Sequence, residues 1–212
     1  MHSENPHNPH SVLSRNARLK QQNEYLRKAN AELQKKLAEV TSLHHRDPLT
    51  GAYSRAYALE RIKELENSRS VVGVIFVDMN DLKPVNDTPG LGHSVGDECL
   101  KSAARLLTQA IRSNDTLARY GGDEYIILLS RATDDAIAQI EKRIESLFAE
   151  YFSLNGLLIS TIAEVLPDWR FSVSFGSGIR KEGDTRTILE MVNEADAKMY
   201  LNKEARKASR TR

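Results

Sequence analysis

The pair Gly121-Gly122, set between the strand-like runs Arg119-Tyr120 and Ile126-Ile127-Leu128-Leu129, makes the chain double back on itself. The glycines then fall at a hairpin tip, and the carboxylates Asp123 and Glu124, followed by Tyr125, begin the returning strand. Two acids on such a turn place hard oxygen ligands where a phosphate can approach the main chain closely. Taken alone, the pattern fits an exposed acidic hairpin equally well.

A second acid-bearing strand narrows the choice. Val71-Val72-Gly73-Val74-Ile75-Phe76-Val77 is a short β-branched run suited to a buried central strand, and it ends in Asp78. If that strand lies beside the hairpin, Asp78 and Asp123 converge at one end of a sheet, with Glu124 next to them and the Met79 carbonyl as a neutral ligand. Oxygen-only coordination suits Mg²⁺ or Mn²⁺ holding a triphosphate. No matching cluster of Cys and His supports a zinc site.

These residues sit within a longer ordered set: Asp47-Pro48-Leu49-Thr50-Gly51, Asp78-Met79-Asn80-Asp81-Leu82-Lys83, Asn86-Asp87, Gly92-His93-Ser94-Val95-Gly96-Asp97 and Arg119 to Tyr125. Ser172-Val173-Ser174-Phe175-Gly176 and Ala195 to Lys203 continue it. Together they resemble the GGDEF family of diguanylate cyclases over about residues 45 to 207. The resemblance implies an α/β (α+β) fold, with a central mixed β-sheet surrounded by helices, like nucleotidyl cyclases and polymerase palms. It implies that two GTP are joined into cyclic di-GMP, each 3′-hydroxyl attacking the other's α-phosphate and expelling pyrophosphate.

By the same resemblance, Asp78, the Met79 carbonyl, Asp123 and Glu124 hold two divalent ions per half-site, and Glu124 helps deprotonate the hydroxyl. Asp97 reads the guanine N1-H and amine with Asn86 as its partner, Leu82 and the Gly121-Gly122 backbone bound the nucleotide, and Lys83, Lys203 and Lys207 approach the phosphates. From the residues alone, Asp97 also suits a helix cap before the pattern Leu100, Ala103, Ala104, Leu107, Ile111. Arg112-Ser113-Asn114-Asp115 stands where the family carries an inhibitory RxxD site for its product, with Arg143 as its second arginine; a local Arg-Asp pair is the plain alternative. Two departures stand out. The family follows its second lysine with Gly-Arg-Asn, where this chain has Arg206-Lys207-Ala208, and the Asn86 to His93 loop is two residues longer than usual. Lys207 in place of arginine offers no bidentate fork.

The remainder bounds the partners. Formal charge is +1, with no basic stripe interleaved with aromatics, so a nucleic-acid partner is not expected. No run approaches the ~18 apolar residues that span a bilayer, so no membrane association and a cytoplasmic location are expected. The single cysteine, Cys99, reads as a small buried apolar residue. Residues 1–11, with His2, His7 and His10, read as a disordered tail, residues 12–45 as a helix, 46–207 as the cyclase domain and 208–212 as a basic tail. A seven-residue repeat runs through Val12, Leu19, Leu26, Leu33 and Val40, with Asn16, Asn23, Asn30 and Leu37 at the companion positions. That reads as the seam of a parallel coiled coil, in which Asn fixes register; a single amphipathic helix lying on the cyclase domain is the plain alternative. The expected assembly is a homodimer that brings two GTP-loaded domains face to face. The alternatives are a non-catalytic cyclic di-GMP or GTP receptor on the same fold, and a coiled-coil interaction protein with a vestigial domain.

Overall fold

The computed structural model describes residues 9–68, 70–154 and 156–210. Compact units divide between Leu43 and His44. The first is a single helix, α1 (Pro9–His44). The described residues are helical from Pro9, and residues 9–11, read in the sequence as part of the tail, are among them. Leu19, Leu26 and Leu33 are 47%, 51% and 64% exposed along it. Residues 1–8 and 211–212, with the side chains of Val12, Asn16, Leu37 and Val40, lie outside the described residues.

The second unit runs α2 (Arg55–Asn67), β1 (Val72–Met79), α3 (Leu82–Asp87), α4 (Gly92–Ala110), β2 (Thr116–Arg119), β3 (Glu124–Ser130), α5 (Asp134–Ser153), α6 (Leu157–Val165), β4 (Val173–Arg180) and α7 (Ile188–Arg210). The sheet order is β2-β3-β1-β4 and every strand pair is antiparallel. Parallel pairing, expected in a mixed sheet, is confined among the described residues to one bridge between Tyr53 and Ala118.

Strand β1 is buried along its whole length because helices cover both faces. Its alternation sends Ile75, Val77 and Met79 into one core with residues of α3 to α6, and Val74 and Phe76 into the other with residues of α2 and α7. Asp78 has the parity of Val74 and Phe76, so it emerges beneath α7. Helix α7 is fixed at its start by a reciprocal cap: the Thr187 N–H donates to Glu190 Oε2 at 2.8 Å and the Glu190 N–H to Thr187 Oγ1 at 3.1 Å. Glu66 of α2 also accepts from the Ile188 N–H (2.7 Å) and from Arg180 of β4 (2.8 Å), locking three elements together.

Over the middle of β4 the backbone of α7 lies so close that a Cβ at Gly176 would strike the Ala195 carbonyl and the Met199 N–H. The helix continues to Arg210, through part of the segment expected to be a tail. No single helix among the described residues is long and apolar enough to cross a membrane.

Candidate active site

The register pairs Asp78 directly with Glu124 across β1 and β3, and the Met79 N–H donates to the Asp123 carbonyl at 3.0 Å. The two strands expected to converge therefore do so at their acidic ends. Asp78 is 6% exposed and accepts a 2.5 Å hydrogen bond from Lys203 Nζ of α7. Burial pushes its proton affinity up, the Lys203 bond opposes that, and the charge of Asp123 adds to it, leaving the carboxyl above the ordinary range. Glu124 is raised as well, first by burial and then by Asp123, Asp78 and Asp196 of α7.

Four carboxylates thus repel one another at one end of the sheet, and the donors are oxygen only. That chemistry fits a hard divalent cation. Among the described residues no three His, Cys, Asp or Glu side chains are gathered into a metal cage; the ammonium of Lys203 is the cation nearest Asp78. Met79 contributes its main chain here, for its side chain is fully buried in the core.

At the tip, Gly121 serves space rather than a special φ. Neither Gly121 nor Gly122 has a positive φ, in contrast to Gly51, Gly90, Gly92 and Gly183. A Cβ at Gly121 would collide with Glu124 Oε2, while one at Gly122 would meet nothing within 4 Å. The turn is tied by the Tyr120 N–H donating to the Glu124 carbonyl at 2.8 Å. Arg119 fastens it further: Nη2 and Nε donate to the Gly122 carbonyl at 2.7 and 3.1 Å, and Nη1 reaches Asp47 Oδ1 at 3.2 Å. Burial raises the Asp47 carboxyl, but hydrogen bonds from the Thr50 side chain and N–H, and then Arg119, outweigh it and hold the group below the ordinary range.

Beside the tip opens a cavity of about 410 Å³ whose walls include Lys83, Asn86, Asp97, Arg119, Gly122 and Asp123, with Leu82 and His93 also in its lining. Asp97 lies well inside α4, whose first residue is Gly92, so a helix-capping role is ruled out by position. The longer loop turns at Gly90 (φ 93°) and Gly92 (φ 71°), and Thr88 Oγ1 donates back to the Pro84 carbonyl at 2.6 Å. Asn86 nevertheless packs against Gly96, where a Cβ would displace its Oδ1. Tyr125, fully buried, donates its hydroxyl to the Leu100 carbonyl at 2.8 Å and so ties β3 to the helix of Asp97.

A second cavity, about 240 Å³, lies on the α7 side of the β1–α3 turn, with Asn80, Asp81, Lys203 and Lys207 in its walls. Lys207 is engaged with Glu204 at 3.0 Å. The turn between the cavities has Asp81 in the left-handed region (φ 55°) and is pinned from the start of β4 and the chain before it. Trp169 Nε1 donates to the Asp81 carbonyl at 3.0 Å, Asn80 Nδ2 to Ser172 Oγ at 3.0 Å, and Ser174 Oγ to Asn80 Oδ1 at 2.8 Å. Sequence reasoning missed Arg119, Asp196 and Trp169 as site supports, since each acts through a partner distant along the chain.

On another face, Arg112 and Asp115 form a turn in which the Arg112 N–H donates to Asp115 Oδ2 at 3.0 Å; their side chains make no ion pair among the described residues. Both line a cavity of about 480 Å³ with Arg46, Tyr53 and Arg105. Arg143 is not in that lining: its Nη1 caps α4 at the Ala110 carbonyl, 2.9 Å away. Cys99 is buried and its thiol is pushed up to about 12 by burial.

The family model described as "Diguanylate cyclase, GGDEF domain" matches residues 44–209. The probable diguanylate cyclase DgcJ of Escherichia coli K12 is 32% identical over 162 residues, which cover 74% of this chain and 29% of that protein. Diguanylate cyclase TpbB of Pseudomonas aeruginosa PAO1 is 30% identical over 187 residues, 85% of this chain and 40% of that one. The chain thus spans less than half the length of these relatives. Among solved structures, the coiled coil and GGDEF domain of DgcB from Caulobacter crescentus, in complex with c-di-GMP, superimposes with a TM-score of 0.65 at 22% identity over 91% of this chain and 95% of that one. A sensory box/GGDEF family protein from the same species gives a TM-score of 0.52 at 31% identity, over 76% of this chain and 99% of that one.

Proposed function

The chain belongs to the GGDEF family of diguanylate cyclases, and from that premise we propose that it condenses two GTP into cyclic di-GMP and two pyrophosphates as a homodimer. The observation that carries this reading is the pairing of Asp78 with Glu124 next to Asp123, which lines a cavity together with Asp97 and Asn86. Asp97 accepts from the guanine N1-H and amine, with the Asn86 amide alongside. Asp78, Asp123 and Glu124 hold Mg²⁺ or Mn²⁺, which when bound neutralises the triphosphate and lowers the cost of charge on the attacking and leaving oxygens.

Glu124, whose proton affinity is raised, takes the proton from the 3′-hydroxyl. The 3′-oxygen forms a bond to the α-phosphorus of the GTP on the partner domain, and the bond to pyrophosphate breaks. Lys83 and Lys203 receive the developing negative charge. GTP as substrate implies action in the cytoplasm.

Incubating the purified protein with GTP and Mg²⁺ and separating the products tests this directly. Cyclic di-GMP with two equivalents of pyrophosphate is the expected result. The cavity at Arg112 and Asp115, lined also by the guanidinium-bearing Arg46 and Arg105, favours a second reading, a receptor that binds the dinucleotide without making it. Tight cyclic di-GMP binding with no turnover would select it.

Asp97→Ser is expected to lower the preference for GTP over ATP by about tenfold or more, because a hydroxyl cannot accept from both guanine donors at once. Competition between the two nucleotides measures this, and an unchanged ratio would refute base reading by Asp97.

The exposed Leu19, Leu26 and Leu33 support pairing of α1 with its copy. Deleting residues 1–43 should then make specific activity rise steeply with protein concentration, since the helix no longer supplies a high effective concentration of the second domain. Sedimentation with activity decides: a truncated monomer at full specific activity contradicts the model.

A further inference from the structure

The cavity on the α7 side of the β1–α3 turn is more basic than the two lysines expected there explain. Arg170 and Arg206 line it together with Lys203 and Lys207, against the single carboxylate of Asp81. Arg170 comes from the segment before β4 and is aimed by its own backbone: Nη1 donates to the Pro167 carbonyl at 2.9 Å and the Trp169 carbonyl at 2.8 Å. Its guanidinium also lies 5.4 Å from the Phe152 ring centroid. Arg206 reaches the same cavity from α7, one helical turn after Lys203, and its Nη2 stands 3.9 Å from Glu145 Oε1.

The opposite end of this cation group is Lys203, already bonded to Asp78. A ligand seated here would therefore run from the carboxylate cluster away along α7, with its negative charge increasing toward the two arginines. Planar guanidinium forks match phosphate oxygens in pairs, as a lysine ammonium cannot.

We propose that Arg170 and Arg206 bind the terminal phosphates of the nucleoside triphosphate, so that Arg206 provides the fork that Lys207 cannot form. The identity of the natural ligand rests on the reading that GTP is the substrate; the pocket chemistry itself requires only a linear polyphosphate. Glu145 and Glu204, which now engage Arg206 and Lys207, are the partners these side chains exchange for phosphate.

Calorimetric titration of the full chain with inorganic tripolyphosphate, and separately with GMP, tests the assignment while cyclic di-GMP synthesis is assayed in parallel. Arg206→Ala alters a side chain that is 46% exposed, so the fold is retained. It is expected to weaken tripolyphosphate binding by about tenfold or more, with GMP affinity unchanged and Arg206→Lys intermediate. Arg170→Ala should act in the same direction, its folding checked by circular dichroism because two backbone carbonyls lose a donor.

Unchanged tripolyphosphate affinity in Arg206→Ala, or an equal loss for GMP, overturns the proposal. A wild-type protein that makes cyclic di-GMP while Arg206→Ala keeps its full tripolyphosphate affinity removes the pocket and leaves the cyclase. Arginine-dependent tripolyphosphate binding in a protein that makes no cyclic di-GMP removes the cyclase and leaves the pocket.

Discussion

Replacing Glu124 by Gln, or Asp123 by Asn, is expected to lower cyclic di-GMP synthesis by about 10³-fold or more while the domain stays folded. Both side chains project from the hairpin tip rather than from either core. The stability readout has the opposite sign to the activity. Asp78 and Glu124 bind protons more tightly in the folded chain than in the unfolded one, chiefly because they are buried. Their contribution to stability is therefore present in acid, below the ordinary carboxylate range, and is lost as pH rises through the raised folded values.

In metal-free buffer at neutral pH, Glu124→Gln removes part of that repulsion. Its melting temperature should equal or exceed that of the wild type, and the rise on adding Mg²⁺ should shrink. A variant that keeps wild-type turnover would refute the metal assignment, and one that melts well below wild type without metal would refute the repulsion.

Gly176→Ala carries the largest expected cost to the fold, about 2–4 kcal/mol, or roughly 5–15 °C in melting temperature for a domain of this size. The obstruction is main chain: the Ala195 carbonyl and Met199 N–H belong to a helix that must shift bodily. The same shift lifts Lys203 and Asp196 from the carboxylate cluster, so activity should fall further than the folded fraction does. Gly178→Ala is the control two residues along β4, where an added Cβ meets its nearest atom at 3.8 Å and should be nearly neutral. Equal melting temperatures for the two variants would show that α7 is free to move away from the sheet.

The acidic strand ends were legible in the sequence because they depend on local pattern: a β-branched run closed by Asp78, and a glycine turn opening into Asp123 and Glu124. Helix α4 was legible in its apolar spacing, but its start was not. Gly92 takes a left-handed φ and opens the helix five residues before Asp97, so the acid faces a cavity instead of capping the helix.

The reason for Gly121 was hidden for a different cause. The obstruction is the Glu124 side chain, which folds back on the turn, and no turn rule anticipates that. Arg143 had a family role, yet its contact is with the Ala110 carbonyl, set by how α5 crosses the end of α4. The support by Trp169 joins positions 88 residues apart, and neither periodicity nor spacing reports such a pairing.

Arg119 bears on how force would travel through this domain. One planar cation holds both the Gly122 carbonyl and the carboxylate of Asp47, three residues past the end of α1. A guanidinium is rigid, so its two ends cannot move independently by more than the slack in the hydrogen bonds it makes. A pull of about 1 Å on residues 45–47 must either break the bond to Asp47 or drag the Gly121-Gly122 turn with it, and under the proposed phosphoryl transfer a shift of that size is worth roughly 10²-fold in rate. The turn is thus mechanically in series with the stretch of chain that enters the domain, and the compliance of one arginine sets how faithfully strain there is transmitted to the chemistry.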